Sequence, residues 1–274
     1  MMPQPELNRG GDPDTTDTCW NSLYKVTAVA AVIAALIFRR WLAADFLLFR
    51  AIGLIRSGPT RMPTSALDWF TLLHTNRLVG LTFLNVFDSV NYVLVGLIYL
   101  GLYAALRRAN RSYVTLATAL GFVGIAVYLA SNQAFSMLLL SDQYAAATTD
   151  AQRSMLLAAG QALLAISNPN VLGPGAIGFL LITLAGLIFS IAMLRGSTFA
   201  KGTAYTGILA NVFGLGYPLG IALAPKTVVI PTVAISLSIS ALFLLAWYAW
   251  IAVRLFQLGY LKPEDSVAKM MERS

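Results

Sequence analysis

Apolar residues in this chain come in long uninterrupted blocks, not at the spacing of an amphipathic helix or strand. The blocks lie at residues 23–38, 78–106, 113–140, 171–194, 203–224 and 233–253. About 20 helical residues cross a hydrocarbon core ~30 Å thick, so blocks of this kind predict transmembrane helices. A transmembrane barrel would show short segments of alternating hydrophobicity, and the chain has none. The pattern predicts an all-α fold: a polytopic transmembrane helix bundle of about six spans, forming one domain over 22–256. Two blocks have awkward lengths. The first is free of charge only over 26–38, so its flanks must snorkel. The second, 78–106, exceeds what a bilayer needs, so either the helix tilts or its first turns project beyond the core.

The connecting segments have their own patterns. Residues 1–21 are rich in Pro, Gly, Asp and Thr and are expected to form a disordered tail. They include Asp12, Asp14 and Asp17, so they lack the basic start and early apolar core of a signal peptide, and the first block reads as a retained anchor. Residues 41–77 mix apolar residues with Asp45, Arg50, Arg56, Asp68, His74 and Arg77, which suits helices lying in the interface. Residues 149–166 are rich in Ala and Leu, with Asp150, Gln152, Arg153 and Gln161 among them. They predict a helix outside the membrane core, stopped by Asn168, Pro169 and Asn170. Residues 257–274 form a polar tail.

Composition sharpens this picture. The chain is 58% hydrophobic and 11% charged, against about a quarter charged in soluble domains. The net charge is +7, but its Arg and Lys residues sit between apolar blocks, where they orient the chain and meet anionic headgroups. Membrane lipids are therefore the expected partners and nucleic acid is not, with a homo-oligomer or membrane protein partner left open. The loops after blocks two and four and the C-terminal tail hold Arg107, Arg108, Arg111, Arg195, Lys201, Arg254, Lys262, Lys269 and Arg273. The opposite side receives Arg153 and Lys226. The positive-inside rule then puts both termini in the cytoplasm of a cell-membrane protein. The segment carrying Arg39, Arg40, Arg50, Arg56, Arg61 and Arg77 runs against this bias, and an extra span within it would change the side of the N-terminus. With one cysteine, Cys19, and one histidine, His74, neither an intrachain disulfide, a Cys/His zinc site nor paired-histidine haem ligation can form. No metal or cofactor is expected.

Several segments resemble an uncharacterised family of bacterial and archaeal six-helix membrane proteins, known only as a domain of unknown function. They are Leu-Tyr-Ala-Ala-Leu-Arg-Arg at 102–108, Ala-Gly-Gln-Ala-Leu-Leu-Ala at 159–165, Gly-Pro-Gly-Ala-Ile-Gly-Phe at 173–179, Met-Leu-Arg-Gly-Ser at 193–197 and Trp-Ile-Ala-Val-Arg-Leu-Phe-Gln-Leu-Gly at 250–259. The resemblance covers roughly residues 23–259 and implies six spans. It implies no activity and assigns no catalytic residue.

Few side chains could carry chemistry. Asp88 is the only carboxylate in an expected span, and an ionisable group there is costly enough to suggest function. Asn85 and Asn91 flank it at three residues on either side, so the three could form a polar stripe that binds a proton, cation or polar ligand. The same spacing also fits a helix start at headgroup depth. Asn211 precedes Gly214, Gly216, Tyr217, Pro218 and Gly220, where Pro218 should break the ladder near Gly214; such a Pro more commonly just kinks a packed helix, and in transporters it exposes backbone to a substrate. His74 and Arg77 would share one face of a helix over 66–77 and meet lipid phosphates. Ser131, Asn132 and Gln133 read as hydrogen-bonding glue inside the third span. No catalytic set, P-loop or nucleophile elbow is present. The favoured reading is a non-enzymatic membrane module that binds a lipid, small ligand or protein partner. A transporter or channel component using the Asp88 stripe and the broken fifth helix comes second, and an intramembrane enzyme last.

Overall fold

The computed structural model describes residues 15–42, 63–166, 172–223 and 226–260, and the described residues form helices and no strands. Six helical stretches are long and apolar enough to cross a membrane. The spans are α1 (Thr15–Leu42), α4 (Val86–Leu106), α5 (Arg111–Ala130), whose apolar stretch runs on to residue 146, α8 (Pro174–Arg195), α9 (Lys201–Gly214) continued by α10 (Gly216–Leu223), and α11 (Lys226–Tyr260). Between them lie α2 (Ala66–Thr75), α3 (Arg77–Phe83), α6 (Ala134–Ala146) and α7 (Asp150–Ile166). The spans pack in chain order. α1 touches α4, α4 touches α5, α5 touches α8, α8 touches α9, α9 touches α11, and α11 returns to α1 to close a ring.

The packing inverts that of a soluble protein. On α1, Thr27, Ala28, Ala31, Ala34 and Ala35 are buried while Val26, Val29, Val32, Ile33 and Leu36 are exposed. Lipid tails solvate Val and Leu as well as a protein core does, so spans associate through small residues that let their backbones meet. At the α5–α8 contact, a Cβ on Gly178 would stand 2.7 Å from the backbone nitrogen of Tyr128 and 2.8 Å from the carbonyl oxygen of Gly124. At the α9–α11 contact, Gly207 lies against the Trp247 ring, and Ser240 Oγ donates to the Ala210 carbonyl at 2.7 Å. Inside the ring, Tyr92, Ile98, Tyr99, Phe189, Trp247 and Tyr248 fill the core. Tyr99 Oη donates to the Ile182 carbonyl at 2.8 Å, so its burial leaves no polar atom stranded.

The four remaining helices form a cap at one end. Trp69, Phe70 and Leu73 of α2 pack with Met137 of α6, and leucines of α3 and α7 surround them. Gly160 lets α7 approach α2, since a Cβ there would stand 2.8 Å from the Phe70 ring. Arg77 of α3 pairs with Asp142 of α6 at 2.6 Å. Leu67, Leu78, Phe135, Leu139 and Met155 remain exposed on the outside of the cap, as suits helices lying at headgroup depth.

The structure revises several sequence expectations. α1 starts at Thr15, so residues 15–21 extend the first span instead of belonging to a tail. The extension is held at Trp20, which lies under the Arg107 guanidinium at 4.4 Å, and just beyond it Lys25 sits over the Tyr260 ring at 4.4 Å. The overlong second block is two helices. Its first turns are α3, and the chain bends at Asn85, whose φ of 59° ends one helix before the next begins. The third block also divides, at Ser131, Asn132 and Gln133, into α5 and α6 within one apolar stretch over 111–146. The expected outer helix at 149–166 is α7, and part of the expected interfacial region is α2. The expectations for 1–14, 43–62 and 261–274, and the expected helix stop at 168–170, fall outside the described residues.

The tightest backbone contact yields a test. Gly178→Ala forces α5 and α8 apart and should cost about 1–3 kcal/mol, as overpacking does. Gly96→Ala should be neutral or slightly stabilising, because the nearest atoms to a Cβ there are side-chain atoms at 3.5 Å and helical Gly→Ala gains up to ~1 kcal/mol. Thermal unfolding of the two variants in detergent, against the wild type, checks the contrast.

Candidate functional site

The helix breaks at the cap end lie side by side and satisfy one another. Asn132 Nδ2 donates to the Asn85 carbonyl at 3.2 Å and to Ser89 Oγ at 3.0 Å. Asn132 Oδ1 accepts from the Ala134 amide at 2.9 Å, which closes the open start of α6. Ser131 Oγ donates to the Tyr128 carbonyl at 2.7 Å. One asparagine thus ties the bend before α4 to the break after α5. Below it, the Tyr128 hydroxyl donates to Asp88 Oδ2 at 3.3 Å, and the Tyr128 and Tyr92 rings stand 4.1 Å apart.

Between this polar collar and the cap lies a cavity of about 750 Å³. That is the size of a typical small-molecule site, which runs ~300–1,000 Å³. Its walls divide by chemistry. The cap side is apolar, with Trp69, Phe83, Met137, Leu163 and Leu164. The bundle side mixes Asn85, Tyr128, Ser131, Asn132, Gln133 and Tyr217 with Val127, Ala130 and Ala176. Gly173, Pro174 and Gly175 at the start of α8 complete it. No charged side chain lines it among the described residues; behind its Tyr128 wall, Asp88 receives the Tyr128 hydroxyl.

Trp69 is fixed by the start of α2. The Asp68 amide donates to Ser65 Oγ at 3.2 Å, and the Ser65 amide donates to Asp68 Oδ2 at 3.1 Å, a reciprocal capping box. The Ser65 hydroxyl and amide hold the Asp68 carboxyl below its ordinary pKa. The box therefore supports α2 at neutral pH and is lost only as pH falls through that depressed value.

The sequence candidates scatter. Asn85 lines the cavity, and Asp88 stands behind its Tyr128 wall. The proposed stripe does not form on one helix face, because Asn85 is left-handed and precedes the first turn of α4. Asn91 is buried at 3% exposure, with no partner for its Oδ1. Asn211 is buried on α9, donates to the Gly207 carbonyl at 2.7 Å and packs against Gly186, so it serves the α8–α9 contact. His74 and Arg77 fall in different helices because Asn76 ends α2 and caps α3. His74 is exposed, and Arg77 pairs with Asp142. Sequence reasoning missed the cavity's aromatic and apolar lining: Tyr128, Phe83, Met137 and Leu163 carried no signal beyond ordinary hydrophobic pattern.

Asn132 and Asn91 should respond oppositely to removal. Asn132→Ala deletes three hydrogen bonds and should lower stability by about 1–2 kcal/mol, given ~0.6 kcal/mol for an average bond between spans and more at a helix end. Asn91→Leu removes an unpartnered buried oxygen and should leave the unfolding temperature unchanged or raised. Parallel melts in one detergent check both.

No family model, curated protein or solved structure matches the chain, so its likeness to known proteins adds nothing to the geometry of this cavity.

Proposed function

We propose that this multi-pass membrane protein is a non-enzymatic binding module whose cavity, between bundle and cap, takes an amphipathic small molecule or lipid. The gathering of hydrogen-bonding side chains on one side of a mostly apolar 750 Å³ cavity carries the reading. A tail would lie against Trp69, Phe83, Met137 and Leu163, and a head against Tyr128, Asn132, Gln133 and Tyr217. Neutral donors and acceptors, with Asp88 one hydrogen bond behind them, favour an uncharged or cationic head over a phosphate.

Transport is the second reading. It rests on Tyr217, which lines the cavity just beyond the break between α9 and α10. That break costs little, because Ser236 Oγ donates to the Phe213 carbonyl at 2.5 Å. Beneath the cavity, Tyr99, Phe189 and Trp247 are fully packed, which favours a one-sided binding site over a passage.

Orientation follows from charge. Lys25, Arg107, Arg111, Arg195, Lys201 and Arg254 gather at the end of the bundle opposite the cap, and by the positive-inside rule that end faces the cytoplasm. Both α1 and α11 would then carry their outer ends into the cytoplasm, with the cap on the far side.

A diazirine-bearing long-chain alcohol and the matching amine should label Trp69, Met137 and Leu163 saturably in reconstituted vesicles, with the alkyl phosphate a poor competitor. Leu163→Trp, which fills the cavity, should abolish saturable labelling. Tyr128→Phe should weaken it about fivefold, the worth of one hydrogen bond. Labelling that never saturates and falls only on outward residues such as Leu139 would reject the binding reading. Solute flux lost in Asp88→Asn would establish transport instead.

A further inference from the structure

The opposite end of the bundle holds a second, unrelated depression of about 220 Å³ on the outside of the α5–α8 pair. It is lined by Asn110, Tyr113, Ile188, Ile191, Ala192 and Arg195. Its surface is apolar, and its polar residues stand at one end of it. Ile188, Ile191 and Ala192 follow successive turns of α8 into the apolar part of the span, and Ile191 is 40% exposed there. Arg195 is the last residue of α8, and Asn110 immediately precedes α5, so both sit where that apolar wall ends.

Both polar groups have bonding capacity to spare. Arg195 makes no ion pair or hydrogen bond among the described residues; its guanidinium lies over the Tyr113 ring at 5.5 Å. That ring contact orients the planar fork while leaving its N–H donors at the edge. The Asn110 side chain makes no capping bond to α5. Three other cations of this face are engaged differently: Arg107 covers Trp20, Lys25 covers Tyr260, and Arg254 Nε donates to the Thr198 carbonyl at 2.6 Å. Arg195 is the cation that adjoins an apolar groove.

We propose that this groove is a binding site for one anionic glycerophospholipid, whose phosphate meets Arg195 and Asn110 and whose upper acyl chain lies along Ile188 and Ile191. A guanidinium matches a phosphate through paired N–H donors, which an ammonium cannot do. The small volume fits a molecule held only in part, the remainder lying in the bilayer. A free phosphate would leave the isoleucine wall unused. The groove is at the opposite end from the cavity proposed above, so either assignment can fail without the other.

The test is native mass spectrometry of the detergent-solubilised full chain titrated with phosphatidylglycerol or phosphatidylcholine. The wild type should retain one phosphatidylglycerol about tenfold more strongly than phosphatidylcholine, and millimolar inorganic phosphate should not displace it. Arg195→Gln should remove the preference, and Ile191→Trp should remove it too while every charge stays in place. Lys201→Gln, on the same face but off the groove, should keep it. Equal retention of the two lipids by the wild type would overturn the proposal whatever the variants do. So would equal losses in Arg195→Gln and Lys201→Gln, or an intact preference in Ile191→Trp, since a diffuse basic surface would give those results.

Discussion

In hydrocarbon a backbone N–H or C=O without a partner costs several kcal/mol, and the architecture follows from where this chain interrupts its helices. The interruptions at Asn76, Asn85 and Ser131–Gln133 belong to the cap end, where side chains and headgroup water can take up the freed groups. The interruption at Leu215, inside the fifth span, is met by the Ser236 hydroxyl from the neighbouring helix. Among the described residues the chain bends where its backbone can be satisfied, and a cap and a cavity arise at one end of a closely packed ring.

The same constraint explains what the sequence made legible. Length and apolarity alone revealed the six spans, since a helix is the only open structure that satisfies its own backbone in lipid. Helix ends were harder to read. Leu78 to Leu106 is apolar on both sides of the bend, so only a left-handed asparagine marks it. The polar triplet at 131–133 did mark the other break, but polar residues inside a span and at its end look alike in a linear pattern. Asn76 separated His74 from Arg77 through a cap that depends on backbone angles, which no spacing rule reports.

The candidate site was legible only in its polar half. Asn85 and Asp88 stood out because they are rare in apolar surroundings, and the structure does bring both to the region of the collar. Asn91 and Asn211 stood out for the same reason and went elsewhere, one into a buried position and one into a helix contact. Rarity flags a polar residue; it does not say whether a neighbouring backbone or a ligand uses it. The apolar wall was invisible because Trp69, Met137 and Leu163 are ordinary cap-core residues until α2, α6 and α7 assemble. The two ends also differ in kind: the cap end pairs Arg77 with Asp142 and Arg153 with Asp150, whereas the described side chains at the other end include cations without carboxylates.

The ring of spans in chain order bears on how the protein is made. Each helix leaving the ribosome can settle against the one inserted just before it, so most contacts are local and cheap to form. The exception is the seam between α1 and α11, the first and last spans. Until α11 arrives, the faces of α1 and α9 that it covers both lie open to lipid. Biogenesis therefore has a single late commitment step, and a chain truncated before that step would expose two unmatched surfaces to the cell's quality-control machinery.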